Sequence, residues 1–383
     1  MAKIIRTATV AITLNDLLKG QLAYLNQTHE IIAVSGEDHH LQAVRDREGV
    51  RTISVPMQRA IRPFQDLVSL FCLYRVFKKE KPAIVHSVSP KAGLLSMVAA
   101  YFAGVPIRMH LFTGLIFPTK TGLSHFLLLQ MDRILCVFAT HIYPEGSGVR
   151  SDLIRYGVTR KPLHIIANGN ITGVDTNSFT IPTEEEKNTL RTSHGIGPDD
   201  TVFLYVGRLV GDKGINELIA AFTASELQHI KTKLLIVGYL ESKLDPLKLE
   251  TIQAIETNIN TIFVGFQPDV RPYYAAADCL ILPSYREGFP NVLLQGGAMG
   301  LPSIVTDVNG CNEIIKSGFN GTIIPVKNKD AIVAAMLDFT ANGKISEAKK
   351  LEIREHICLK YSQNLVWNAL KVEYNRLLKI EIK

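Results

Sequence analysis

The sequence predicts an α/β protein of two doubly wound, parallel-sheet domains, on three observations. The chain has 383 residues, too many for one ordinary core and suited to two domains of common size. Short apolar runs of strand length alternate with longer amphipathic segments, the pattern of parallel sheets covered by helices on both faces. The alternation is interrupted by the turn-rich stretch Asn168-Gly169-Asn170 and Gly173-Val174-Asp175, which marks a boundary. Residues 1–175 are the expected first domain and 176–360 the second, with a helical tail over 361–383 that carries the single tryptophan, Trp367.

In the first domain, Arg6 to Ile12 reads as the opening strand. Asn15 or Asp16 can cap a helix over Leu17 to Leu25, whose apolar residues recur at helical spacing. Glu30 to Val34 and Arg51 to Val55 are short apolar strands, and Phe64 to Lys79 is an amphipathic helix ended by a basic turn and Pro82. Ile84 to His86 and Ile107 to Phe112 are strands flanking a helix over Lys91 to Phe102. Residues 123–134 read as helix, and Ile134 to Phe138, His141 to Tyr143 and Leu163 to Ile166 supply the last apolar pieces. In the second domain, Thr183 to Lys187 opens a polar helix ending near Gly195. Strands follow at Val202–Val206, Leu234–Val237, Thr261–Val264, Cys279–Leu282, Ser303–Thr306 and Thr322–Ile324, most of them separated by helical segments.

Composition narrows the class. Hydrophobic residues make up 46% and charged residues 20%, which excludes a disordered chain. No apolar run approaches a membrane span; the nearest, Leu94 to Ile107, is broken by Gly104 and Pro106. The opening residues superficially resemble a signal peptide, but a first β-strand is the better reading. Cys72, Cys136, Cys279, Cys311 and Cys358 are far apart and lack metal-ligand spacing, so free thiols in a reducing cytoplasm are expected. Of the 42 Lys+Arg and 36 Asp+Glu, 20 and 12 fall in residues 1–175, which leaves 22 and 24 in the rest. A basic first half suits an anionic surface, either membrane phospholipid or a diphosphate-linked lipid; a merely solvated basic face is the alternative. No dense basic block with interleaved aromatics points to nucleic acid.

The most informative stretch is Pro283 to Gly310. The apolar run Cys279–Leu282 reads as a buried strand that stops at Pro283. A polar loop, Ser284-Tyr285-Arg286-Glu287-Gly288-Phe289, leads to Pro290, whose fixed φ suits a helix's first turn. Asn291 to Met299 continues as helix and Gly300 is placed to end it. A carboxylate-bearing loop thus sits at the carboxyl end of a strand and just before a helix N-terminus, where open parallel sheets bind ligands and where N–H groups attract phosphate. A second stretch ends the first strand of the second domain: Val206-Gly207-Arg208, continuing to Lys213-Gly214 before a helix. Gly207 allows close backbone approach, and Arg208 and Lys213 bring two cations to the mouth of the sheet. Cations there suit a ligand that carries or develops negative charge and can replace a metal ion.

Glu287-Gly288-Phe289-Pro290-Asn291-Val292-Leu293-Leu294-Gln295 resembles the signature of the retaining, family-four glycosyltransferases (glycosyl transferases group 1), which pairs two glutamates eight positions apart. Here Gln295 holds the second position; a glutamine keeps one carbonyl acceptor and loses the charge. The resemblance implies a GT-B fold: two Rossmann-like domains facing a central cleft, with the C-terminal helix crossing back to the first. It implies Arg208, Lys213 and Glu287 as catalytic residues. The nucleotide-sugar donor, a co-substrate rather than a cofactor, is expected on Gly207, Phe266, Ser284, Gly288, Phe289, Gln295 and the N–H groups of Asn291, Val292 and Leu293. Lys19-Gly20-Gln21 resembles the glycine turn that relatives place near donor phosphate and acceptor, although Gly20 can also sit within a helix at small cost. His110 is either a satisfied core histidine or a site residue. Thr113 and Gly114 resemble members acting on polyprenyl-diphosphate-linked sugars, and Glu145 can face the cleft.

The expected reaction is metal-independent transfer, with retention, of a hexosyl or N-acetylhexosaminyl group from a UDP-sugar. The acceptor is a saccharide or lipid-linked saccharide in surface-polysaccharide assembly, at the cytoplasmic face of a membrane that the basic first domain can contact. Rivals are a nucleotide-sugar epimerase of the same fold and a degenerate sugar-nucleotide-binding scaffold. An NAD-linked oxidoreductase would need Gly-x-Gly-x-x-Gly after an early strand, and that spacing is absent.

Overall fold

The computed structural model describes residues 1–228, 230–241 and 245–381. The chain divides into two compact units, Met1–Gly173 joined by the segment from Gln363 onward, and Val174–Ser362.

The first unit is built on β1 (Lys3–Thr7), β2 (Glu30–Ser35), β3 (Arg51–Ser54), β4 (Ile84–Val88), β5 (Ile107–Phe112) and β6 (His141–Pro144). All pair in parallel, in the order β3-β2-β1-β4-β5-β6. Helices cover both faces, which is why the central strands are buried apolar runs rather than alternating ones. One core layer joins Ile5, Val34 and Val85 to Leu73, Phe77 and Leu135. The other joins Ile4, Ile31 and Ile84 to Leu14, Leu22 and Val44.

The tail closes this second layer. Helix Gln363–Glu381 turns Val366, Leu370, Tyr374 and Leu377 inward, each no more than 2% exposed, at the spacing of one helical stripe. Trp367 donates its indole N–H to the Thr172 carbonyl at 2.8 Å. Buried Arg6 donates to the Tyr374 hydroxyl at 3.2 Å and to Gln21 Oε1 at 3.0 Å, and His86 Nδ1 lies 2.6 Å from the same hydroxyl. The expected tail helix is present; Ile382 and Lys383 lie outside the described residues.

The second unit repeats the plan with β7 (Thr201–Val206), β8 (Thr232–Val237), β9 (Thr261–Phe263), β10 (Cys279–Leu282), β11 (Ser303–Thr306) and β12 (Gly321–Ile324). Its order, β12-β11-β10-β7-β8-β9, is that of the first sheet read from the other edge. The polar helix Glu184–Ser193 opens on a capping box between Thr183 and Glu186, the reciprocal bonding that satisfies two orphan N–H groups.

Two local expectations are corrected, and the last apolar pieces are placed. The opening strand is Lys3–Thr7, not Arg6 to Ile12, because Ile4 and Ile5 start the buried run; residues 11–17 are helix with Ala11 and Leu14 buried. The following helix is broken at Gly20, and Gln21–Asn26 resumes it. Ile134 to Phe138 is the last turn of helix Gly122–Phe138, and Leu163 to Ile166 makes only an isolated bridge to Ile142.

Asp132 on helix Gly122–Phe138 is buried, and burial pushes its pKa up to about 7. The folded state therefore holds a proton that the unfolded chain releases near pH 4. The stability this gives is full below pH 4 and lost as pH rises through 7. Asp132→Asn should raise stability at pH 8 by on the order of 2–4 kcal/mol, with no gain near pH 4. Melting temperatures of both proteins at the two pH values check this.

Candidate active site

In a doubly wound sheet, ligands bind beyond the carboxyl ends of the strands, where the strand order reverses. In the second unit that point lies between β7 and β10. The two loops leaving these strands carry both stretches singled out in the sequence.

β7 is buried along its whole length and ends at Gly207, φ +154°. A Cβ there would lie 2.8 Å from the Tyr205 hydroxyl, which donates to the Arg208 carbonyl at 2.8 Å and fixes the turn. Burial, reinforced by the Glu287 carboxylate, keeps the Tyr205 phenol far above its usual pKa. Gly211–Lys213 then forms a single 3₁₀ turn ended by Gly214, φ +70°. A Cβ on Gly214 would lie 2.0 Å from the Pro283 carbonyl, so only glycine lets the β7 loop approach the β10 loop this closely.

The two loops are bonded to each other. Lys213 Nζ lies 2.5 Å from Glu287 Oε1, and the buried Ser284 hydroxyl donates to the same oxygen at 2.6 Å. Arg286 pairs with Asp212 at 2.7 Å, and the Tyr285 amide donates to the Asp212 carbonyl at 2.8 Å. Asp212 is thereby committed to Arg286, and Lys213 to Glu287. Arg208 is half-buried beside them and makes no ion pair among the described residues. Glu287 Oε2 likewise has no protein partner there. The result is a cation without a counter-ion beside a carboxylate with one oxygen uncommitted, a setting for an anionic ligand that also carries hydroxyls.

The remaining expected donor residues separate. Gly288 is held by a close approach, since a Cβ on Gly310 would lie 2.3 Å from the Gly288 carbonyl. Phe289 is buried against Tyr361, ring centroids 5.4 Å apart; it anchors the loop in the core and does not face a ligand. The Leu293 N–H is already donated to the Pro290 carbonyl at 3.1 Å, which removes it from the expected phosphate donors. Asn291 and Val292 occupy the first turn of helix Asn291–Ala298. The Gln295 carbonyl accepts from the buried Tyr274 hydroxyl at 3.2 Å. Phe266 is exposed beyond β9, next to Gly265, φ +70°.

In the first unit the switch point lies between β1 and β4. Sequence reasoning missed it. Ser89 follows β4 with φ +75° and ψ 140°, uncommon for a residue with a side chain, and its hydroxyl accepts the Thr9 amide at 3.2 Å. The Thr9 hydroxyl in turn accepts the Ala92 amide at 3.1 Å. Ser89-Pro90 directly after an apolar strand was the available signal. Thr113 and Gly114 follow β5 at the same edge. His110 is a core histidine: it is buried within β5, Nδ1 lies 2.8 Å from the Ser87 hydroxyl, and burial lowers its pKa to about 3. Glu145 is also buried and accepts the Ile171 amide at 3.3 Å, so it braces the turn over 168–171 and is not exposed to a ligand. Gly20 occupies a turn, φ +77°, with its amide donated to Glu48 at 2.9 Å and the Trp367 ring where a Cβ would be.

A depression of about 360 Å³ in the second unit, lined by Lys187, Arg191, Asp278 and Lys344, lies at the opposite edge, by residues that precede β7, β10 and β11. Its buried carboxylate is already satisfied by Lys187 at 3.0 Å and Arg191 at 2.6 Å.

Comparison with known proteins agrees with the fold. Residues 17–169 match a glycosyl transferase 4-like domain and residues 186–356 match glycosyl transferases group 1. The chain is 29% identical over 380 residues, 98% of both proteins, to the capsular polysaccharide biosynthesis glycosyltransferase CapM of Staphylococcus aureus. It is 28% identical over 339 residues, 87% of this chain and 84% of the relative, to an Escherichia coli enzyme described as UDP-Gal:alpha-D-GlcNAc-diphosphoundecaprenol alpha-1,3-galactosyltransferase. Anabaena HepE in complex with UDP and glucose superposes with a TM-score of 0.79 at 15% identity, covering 98% of this chain and 100% of that one. With both of its units matched in this order, the chain belongs to the family-four, group 1 glycosyltransferases of GT-B fold.

Proposed function

We propose that the chain moves a hexosyl or N-acetylhexosaminyl group from a UDP-sugar to a saccharide carried on a polyprenyl diphosphate, with retention of configuration and without a metal ion. The observation that carries the reading is half-buried Arg208, without an ion pair among the described residues, beside the Lys213–Glu287 pair at the switch point of the second unit. As the bond from C1 of the sugar to the diphosphate breaks, negative charge grows on the departing oxygen. Arg208 and Lys213 are placed to stabilise it. Glu287, held by Ser284 and Lys213 through Oε1, keeps Oε2 for the hydroxyls of the sugar. The acceptor hydroxyl forms the new bond to C1 on the face the diphosphate leaves, and its proton passes to the departing phosphate oxygen. Thr113 and Gly114, at the carboxyl edge of the first sheet, belong to the acceptor side in this reading. The lipid carrier puts the reaction at the cytoplasmic face of a membrane. The UDP-linked donor and the diphosphate-linked acceptor are supported by the stated activity of the Escherichia coli relative, and the donor also by the UDP bound in the Anabaena structure.

The test is thermal stability of the purified protein with UDP-, GDP- and ADP-sugars, followed by transfer to a polyprenyl-diphosphate-linked sugar. A nucleotide sugar at 100 times its dissociation constant should stabilise by about 2.7 kcal/mol, with UDP-sugars alone giving the shift. Glu287→Ala should abolish transfer. A shift with no transfer to any acceptor would favour the scaffold reading, and no shift with any nucleotide sugar would overturn the donor assignment.

A further inference from the structure

The positive charge of the first unit is not spread over it. Residues 1–57 carry six Lys+Arg and six Asp+Glu, and 139–175 carry four and three, whereas 58–138 carry ten and three. The same span holds 12 of the 24 large apolar side chains exposed among the described residues, in about a fifth of the chain. Exposure is high: Phe64 is 89% exposed, Leu123 71% and Val137 68%.

These side chains form one surface. Helices Pro63–Glu80, Pro90–Ala103 and Gly122–Phe138 pack side by side. On the first, Phe64, Leu67, Val68 and Phe71 recur at helical spacing on the face opposite buried Leu73 and Phe77. On the third, Leu123, Phe126 and Leu127 begin a second exposed stripe that continues to Ile134 and Val137. Each helix thus carries an outer apolar stripe besides the one that packs on the sheet, where a soluble helix would present polar residues. An apolar depression lined by Leu67, Phe71, Tyr74, Ala99 and Phe102 joins the first helix to the second. The rings of Tyr101 and Phe138, centroids 5.1 Å apart, join the second to the third.

The charges on this surface have one sign. Of the three acids in the span, Asp66 is paired with Lys91 at 2.5 Å, Glu80 is buried against Lys3 and Arg51, and Asp132 is buried. The exposed charges are all cationic, among them Arg59, Arg62, Arg75, Lys78, Lys79 and Lys120. Several lie on the rings themselves: Arg75 is 5.9 Å from the Phe71 centroid, Lys78 5.9 Å from Tyr74, and Arg108 5.4 Å from Tyr101. An apolar centre with aromatic and cationic groups at its margin matches a bilayer surface with anionic headgroups, where rings enter the acyl boundary and cations meet phosphate. A second copy of the chain fits poorly, because a two-fold contact would oppose this cationic face to itself. No helix among the described residues is long and apolar enough to cross a membrane, so the contact would be made on the surface.

We propose that the outer face of these three helices docks the protein on an anionic phospholipid bilayer, with Phe64, Phe71, Leu123 and Phe126 inserting and the Arg and Lys side chains around them binding headgroup phosphates. The proposal gives the membrane contact of the transfer reading a surface. It is read out by lipid binding with neither nucleotide nor acceptor present, so either can fail without the other.

The experiment is co-sedimentation with vesicles of phosphatidylcholine alone and of phosphatidylcholine with phosphatidylglycerol. The parent protein should bind the anionic vesicles at least tenfold more tightly, and less tightly as salt rises. Phe64→Ser with Phe71→Ser, and separately Lys78→Glu with Lys79→Glu, should each weaken this binding tenfold or more. All four side chains are exposed, so the melting temperature and transfer to a short-chain, water-soluble acceptor should stay unchanged. No preference of the parent for anionic vesicles would overturn the proposal, as would binding that both double variants retain. Variants that convert a dimer to a monomer in sedimentation velocity and leave lipid binding intact would reassign the face to self-association.

Discussion

Arg208→Ala is expected to lower turnover by about 10²–10³, the usual effect of removing one group that stabilises charge in a transition state, while the melting temperature moves by no more than about 2 °C. The two halves of this expectation share one observation. The guanidinium is half-buried and has no ion-pair partner among the described residues, so its loss leaves no buried carboxylate uncompensated. What the protein loses is positive charge held in place at the mouth of the sheet. Steady-state kinetics on a nucleotide sugar, with calorimetry on the same samples, check it. A variant that keeps its turnover would remove Arg208 from the chemistry. A variant that unfolds early would show that the side chain has a structural partner instead. Arg208→Lys should recover only part of the rate, because an ammonium lacks the planar fork that meets two phosphate oxygens at once.

Gly214→Ala should cost about 3 kcal/mol or more in the second unit, since it combines a left-handed backbone with a side chain that has nowhere to go. The added Cβ would lie 2.0 Å from the Pro283 carbonyl oxygen, a backbone atom that cannot turn aside. Gly265→Ala is the control: its φ is also +70°, but nothing lies within 4 Å of the Cβ position. It should cost about 1 kcal/mol, the backbone penalty alone. The two melting shifts therefore separate conformational strain from close approach, at roughly 2–4 °C per kcal/mol for a unit of this size. Gly214→Ala should also reduce activity beyond what lost stability explains, because it pushes apart the loops that carry Lys213 and Glu287. Equal shifts for the two variants would refute the close approach.

Most of the scaffold was legible in the sequence because buried parallel strands are short apolar runs with clear ends. Cys279–Leu282 and Ser303–Thr306 are strands with the boundaries expected of them, each closed by a turn residue or a loop. The misreadings share a cause. Arg6 to Ile12 alternates β-branched and small residues as a half-buried strand would, but packing of Ala11 and Leu14 on the first core draws residues 11–17 into helix. Ile134 to Phe138 is continuously apolar, which hides its period; it is a helical turn apolar on both its inner and outer sides. Within the site, sequence spacing located the loops and their charges, but not their pairing. Nothing in the chain tells that Asp212 takes Arg286 and leaves Lys213 to Glu287, or that the Leu293 amide is already occupied. Those choices depend on distances across two loops, set by the close approach at Gly214.

The second unit is one uninterrupted stretch inserted into the first, and the insertion orders events during synthesis. Residues 174–362 leave the ribosome as a block and can close their own core at once. The first sheet must wait: Arg6 and His86 meet Tyr374 only after the whole insertion has been translated, roughly 10–40 s later at common elongation rates. Until then the apolar groove that receives Val366, Leu370 and Leu377 stays open to water and to other chains. The half that starts folding first is thus the half that finishes last.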